Sequence, residues 1–136
     1  MTVAVVDAGP LVAAANDKDP KHRECLEVLG DTGNRLVLAA LAIAEACYLI
    51  EREHGPRAEA KFLSGLAAYD IRAPATEDWA RISELVLRYA DFPMGTVDAS
   101  VVTLAERLET DMVITLDRRH FSAIKPRHCE YLRLLP

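Results

Sequence analysis

Aromatic side chains are scarce, 6% of 136 residues with Trp79 as the only tryptophan. That scarcity argues against a glycosidase, whose acid pair works beside aromatic platforms for sugar rings. The helical neighbours of Trp79 suggest core packing instead. Cys25, Cys47 and Cys129 are odd in number, far apart and set among apolar neighbours, with no C-x-x-C, so buried reduced thiols are expected rather than disulfides. The four histidines (His22, His54, His120, His128) show no H-x-x-x-H spacing. That disfavours zinc and leaves them as surface or packing residues. No G-x-x-x-x-G-K-[ST], G-x-G-x-x-G or G-x-S-x-G occurs, so nucleotide cradles and the hydrolase elbow are missing too. No apolar run can span a bilayer, and no basic stretch leads into an apolar block and cleavage site. A soluble, cytoplasmic protein without a membrane partner is expected.

Carboxylates are plentiful, and four of them sit at the edges of apolar segments. Asp7 closes Val3–Val6, Glu45 interrupts the run that begins at Leu38, Asp98 opens an apolar-periodic helix, and Asp117 closes Met112–Leu116. A charge at such a place is costly unless something binds it. If the four share one cleft, mutual repulsion raises some of their pKa values unless a divalent cation compensates. The net charge of −5 is uneven. From Arg118 onward five basic residues face Glu130 alone, net +4, leaving −9 on residues 1–117. A basic segment directly after an Asp fits a polyanion reached through a metal, or a solvated surface.

The length suits one domain, 1–136, with one core. Strand-like runs lie at 3–6, 35–38, 112–116 and 129–135, with a weaker one at 70–73. Helical stretches fill the gaps: Pro10–Ala15, Pro20–Leu29, Leu41–Glu53, Pro56–Tyr69, one capped by Thr76 and running to Tyr89, and one capped by Thr96 with Val101, Val102, Ala105 and Leu108 inward. This alternation predicts an α/β three-layer sandwich, a mainly parallel sheet of about five strands flanked by helices. In such sheets the functional crevice lies beyond the carboxyl ends of the strands. Asp7 and Asp117 stand just past strand ends, and Glu45 and Asp98 early in the following helices. A first-turn Asp is favoured by the helix dipole whatever its function, but Asp98 also shares a face with the core residues three and four positions on.

Acid-rich, histidine-poor donors suit Mg²⁺, or Mn²⁺, which keep several waters and need few carboxylates. Such an ion can activate water against a phosphodiester, which is nuclease chemistry. The segments Val5-Val6-Asp7-Ala8-Gly9-Pro10-Leu11-Val12-Ala13, Ala44-Glu45, Gly95-Thr96-Val97-Asp98-Ala99-Ser100 and Ile114-Thr115-Leu116-Asp117-Arg118-Arg119-His120-Phe121 resemble the PIN domain, specifically VapC-type toxin ribonucleases. The resemblance covers nearly the whole chain. It implies a Mg²⁺-dependent endoribonuclease acting on structured RNA, tRNA or rRNA, that works as a homodimer and is silenced by a VapB-type antitoxin.

Carried over, Asp7 and Asp98 are the principal metal ligands, and Glu45 and Asp117 complete the catalytic quartet. Many members carry Ser or Thr after the first Asp, where this chain has Ala8, and a Pro before the Glu, where it has Ala44. Thr96 and Thr115 can supply hydroxyls near the site, with N-capping and strand packing the favoured roles. Arg118 and Arg119 are the candidates for gripping substrate phosphate. Tyr48, Leu49, Phe62 and Leu66 have three roles open to them: core, dimer contact or antitoxin groove. Two other readings of the acids stand beside this one: a DNA nuclease of the same fold, disfavoured by the short length, and a non-catalytic cation- or peptide-binding module.

Overall fold

The computed structural model describes residues 1–136. Its first strand, β1 (Thr2–Val6), has Ala4, Val5 and Val6 all at 0% exposure. A strand buried on both faces reads as a continuous apolar run, and that places β1 in the middle of a parallel sheet. The others are β2 (Asn34–Ala39), β3 (Asp70–Arg72), β4 (Met112–Ile114) and β5 (Arg133–Leu135), in the order β3-β2-β1-β4-β5 with every pair parallel. The chain builds outward from β1 through β2 to β3, then crosses to β4 on the other side of β1. The strand order therefore reverses between β1 and β4, where α/β sheets open a crevice at their carboxyl ends.

Seven helices flank the sheet: α1 (Ala8–Ala14), α2 (His22–Leu29), α3 (Ala40–His54), α4 (Pro56–Ser64), α5 (Asp78–Arg88), α6 (Thr96–Arg107) and α7 (Arg118–Ala123). Helix α6 packs on β1, β2 and β4 and against α5. Gly55, at φ +83°, separates α3 from α4, with Pro56 at the start of the new helix. One apolar cluster of 25 buried residues joins sheet and helices. Arg81 of α5, only 6% exposed, donates from Nε and Nη2 to the two oxygens of Glu106 on α6 at 2.9 and 2.7 Å. This two-pronged pair fixes α6 against α5. No helix is long and apolar enough to cross a membrane.

Several sequence expectations shift. The helix expected over Pro56–Tyr69 ends at Ser64 and gives way to a 3-10 turn at Gly65–Ala68, since glycine weakens a helix interior. Thr76 does not cap α5; the Asp78 carboxylate reaches back to accept the Ala75 N–H at 2.8 Å and organises that start. Gly95, in an extended conformation, is the N-cap of α6, and Thr96 its first helical residue. The last strand is Arg133–Leu135 rather than 129–135. Trp79 is 47% exposed on α5, not core, and of the three free thiols only Cys25 is buried. Helix α7 was not expected, because six residues are too few to show a helical period.

Phe121 anchors α7; it is the largest of the fully buried side chains. Phe121→Ala is expected to cost about 3–5 kcal/mol. Urea unfolding should show a lower midpoint with an unchanged m-value, and a midpoint equal to the parent's would mean that α7 is not anchored by this ring.

Candidate active site

The register of β1 on β4 sets the site. Val6 pairs with Ile114, and the Asp7 N–H donates to the Ile114 carbonyl at 2.9 Å, so Asp7 and Thr115 leave the sheet side by side. Asp7 is the N-cap of α1 and 5% exposed. Its Oδ2 accepts the Thr115 hydroxyl at 2.9 Å. Its Oδ1 is the one buried side-chain polar atom without a hydrogen-bond partner. Burial raises the pKa of Asp7, while the Ala8 N–H and Thr115 hydroxyl oppose the rise and the charge of Asp117 adds to it.

Thr115 also accepts the Asp117 N–H at 3.0 Å, so one hydroxyl, 1% exposed, links two of the four acids. Strand packing alone does not describe this residue, since its hydroxyl donates to Asp7. Asp117 stands three residues past the end of β4, not directly after it, as the N-cap of α7. Its Oδ1 accepts the His120 N–H at 3.1 Å.

Asp98, in the first turn of α6, is half-buried. Its pKa is pushed up to about 6, first by burial and then by the charges of Asp7, Asp117 and Glu45, against the opposing influence of His120. Glu45, in the second turn of α3, is an exposed residue whose pKa is raised by burial of its carboxyl end and then by Asp7. The segments just past β1 and β4 and the early turns of α3 and α6 thus set the four predicted carboxylates near enough to feel one another's charge, at the rim over the β1/β4 switch point.

No three of them close on a single point as a ready chelate. A hard cation that retains most of its waters needs only one or two carboxylates. An all-oxygen donor set, an unpartnered buried carboxylate oxygen on Asp7 and the uncompensated charge felt by Asp98 fit such an ion.

The two arginines differ. Arg118 Nη2 donates to the carbonyls of Leu134, at 3.2 Å, and Pro136, which ties α7 to the last strand and leaves Nε and Nη1 for other partners. Arg119 is exposed, in no ion pair, with its guanidinium 5.1 Å from the centre of the Phe92 ring.

Sequence reasoning left His120 as surface or packing, yet its Nδ1 lies 3.0 Å from the Asp117 carboxylate and its ring stacks on Phe92 with centroids 4.6 Å apart. A carboxylate accepts, so Nδ1 carries the proton. The signal that could have found it is the i, i+3 spacing from Asp117 once α7 is known to be a helix.

The model of the PIN domain family matches residues 4–125. Ribonuclease VapC26 of Mycobacterium tuberculosis (strain ATCC 25618 / H37Rv) is 32% identical over 124 residues, covering 90% of this chain and 92% of the relative. Among solved structures, VapC20 of Mycobacterium tuberculosis, a sarcin-ricin loop cleaving toxin, superposes with a TM-score of 0.75 at 15% identity, covering 81% of this chain and 86% of the other. VapBC2 from Rickettsia felis, bound to a DNA fragment from its promoter, gives 0.73 at 16% identity, covering 99% and 100%. At such identities these two structures speak for the fold.

Proposed function

The chain belongs to the PIN domain family, and from that premise we propose that it is a metal-dependent endoribonuclease of the VapC toxin type, cutting structured RNA in the cytoplasm. The observation that carries the reading is the convergence of four carboxylates on one rim, with Asp7 Oδ1 left unpartnered and Asp98 raised to about 6. Uncompensated repulsion of this size is the mark of groups arranged for a ligand rather than for stability.

Asp7 and Asp98 are the residues that would hold Mg²⁺, or Mn²⁺ in its place. When bound, the ion lowers the pKa of a coordinated water and offsets charge on the leaving oxygen. Glu45, the most exposed of the four, is placed to take the proton of the attacking water. Asp117 is placed to orient that water, its carboxylate held by the His120 backbone N–H and ring and its own N–H by the Thr115 hydroxyl. Arg119 offers the free cation for a phosphate. A ribonuclease as relative supports RNA over DNA. Parallel digestion of an RNA and the DNA of the same sequence tests this: cleavage of the RNA alone is expected, and preferential cleavage of the DNA would overturn it.

Toxin–antitoxin complexes among the similar folds support an antitoxin partner. An apolar groove of about 400 Å³, lined by Leu11, Leu26, Ile50, Phe62, Leu66 and Tyr69, suits the apolar face of an antitoxin segment. The exposed Trp79, Val86 and Leu87 on α5 offer a face for a second copy in a homodimer.

The pH dependence of stability tests the cation site without any RNA. Asp98 has a folded-state pKa above its ordinary 3.8, so between about pH 4 and about 6 the folded chain binds more protons than the unfolded one. Stability contributed by this group is therefore lost as pH rises through that window. Mg²⁺, binding the ionised form, is expected to raise the Tm more at about pH 7.5 than at about pH 4.5. An equal shift at both pH values would contradict a site that uses Asp98.

A further inference from the structure

The acidic rim repels the backbone of the polyanion it is read as cutting, so contacts other than the carboxylates must hold the strand. Beside Asp117 the His120 imidazole and the Arg119 guanidinium both pack on the Phe92 ring, and the three side chains form a ledge. His120 is hydrogen-bonded to Asp117 at 3.0 Å and stacked on Phe92 at 4.6 Å with 29° between the planes, and Arg119 lies 5.1 Å from the Phe92 centroid. His120 and Phe92 are half-buried and Arg119 is exposed, so all three reach the surface. Phe92 sits in the loop just before α6, and His120 is hydrogen-bonded to Asp117, so the ledge adjoins the acids. The other exposed aromatics lie on different elements: Trp79 on α5, Tyr48 on α3, Tyr69 beside the apolar groove and Tyr131 just before β5. Arg118, the neighbouring cation, donates to the carbonyls of Leu134 and Pro136.

We propose that the His120–Phe92–Arg119 ledge is the seat for an unpaired nucleobase beside the phosphate that is cut. The proposal rests on the reading of the rim as a ribonuclease site and adds to it the residues that hold a base. Aromatic rings and guanidinium planes stack on any base through its π-face. A base can reach such a ledge only when it is free of its own stack, so the site selects loops and single strands over continuous duplex. The Arg119 charge, unneutralised by any protein carboxylate, adds an electrostatic contact that the phenyl ring alone would not give.

The test is binding of a fluorescein-labelled single-stranded RNA of mixed sequence, and of the same RNA annealed into a duplex, to the cleavage-silenced Asp98→Asn protein in Mg²⁺. The single strand is expected to bind more tightly. Phe92→Ala and Phe92→Leu should each weaken single-strand binding roughly ten- to a hundredfold and leave duplex binding in place, and Phe92→Trp should restore it. Arg119→Gln should weaken binding and reduce its salt dependence by under one ion, whereas the Phe92 variants should leave that dependence unchanged. The Leu variant retains an apolar packing group, so a loss seen there in protein with the parent's Tm is a loss of the aromatic face and not of the fold. Single-strand binding unaffected by Phe92→Leu and Phe92→Ala would overturn the ledge while leaving the ribonuclease reading intact. Failure of both RNAs to bind would overturn the two together.

Discussion

Asp98→Asn is expected to lower RNA cleavage by a hundredfold or more and, in the same protein, to raise the melting temperature by a few degrees when no divalent cation is present. The two effects have one cause. Asp98 ionises among Asp7, Asp117 and Glu45 in a half-buried setting, and that environment holds its pKa at about 6. Its place in the first turn of α6 favours a negative charge by roughly 0.3–1 kcal/mol through the helix dipole. The net pKa still rises, so burial and repulsion outweigh the dipole, and the neutral amide removes an unfavourable charge. The same amide is a poor ligand for a hard cation, and loss of a group that sets up water activation costs roughly a hundred- to ten-thousandfold. Asp7→Asn should lose activity similarly. Loss of cleavage accompanied by a lower melting temperature would instead make Asp98 a structural carboxylate.

Thr115→Val is the second large effect. The side chains have the same shape, and the hydroxyl alone is removed. That hydroxyl donates to Asp7 Oδ2 and accepts the Asp117 N–H. Without it the Asp7 carboxylate, already lacking a partner at Oδ1, loses its only side-chain donor. Leaving a buried acceptor unpartnered costs about 1–3 kcal/mol. Removing the group that orients a metal-binding carboxylate typically costs about ten- to a hundredfold in metal affinity or activity. Thr115→Ser keeps the hydroxyl and should stay near the parent in rate and in Mn²⁺ affinity. Thr115→Val with the parent's stability and rate would show that Asp7 is oriented by the backbone alone.

The four carboxylates and the parallel α/β architecture were legible in the sequence because both follow from local pattern: short apolar runs, helical periods, and charges placed where burial makes them costly. The union of Asp7 with Asp117 through Thr115 was not, because it depends on the register of β1 against β4, which pairs residues more than a hundred positions apart. The absence of a hydroxyl at Ala8 could be read locally; which acid the Thr115 hydroxyl meets could not. Helix α7 escaped detection at six residues, and with it the roles of His120, which turns back on Asp117, and of Arg118, whose reach to the Leu134 carbonyl is set by β5 lying beside β4. Thr76 and Thr96 both fit the composition of an N-cap, and in both cases a neighbour occupies that position in the folded chain. Trp79 was assigned to the core from its spacing, but α5 buries Arg81, Ile82 and Leu85 and turns the tryptophan outward.

The most direct test is incubation of the purified protein, freed of any bound partner, with total cellular RNA in Mg²⁺ or in EDTA, beside the Asp98→Asn variant, with the new 5′ ends mapped. Cuts at discrete positions that appear only with the cation and only with Asp98 intact are the predicted result. Intact RNA in every lane from folded protein, or cuts that persist in EDTA or in the Asp98→Asn variant, would contradict a metal-dependent ribonuclease built on these four carboxylates.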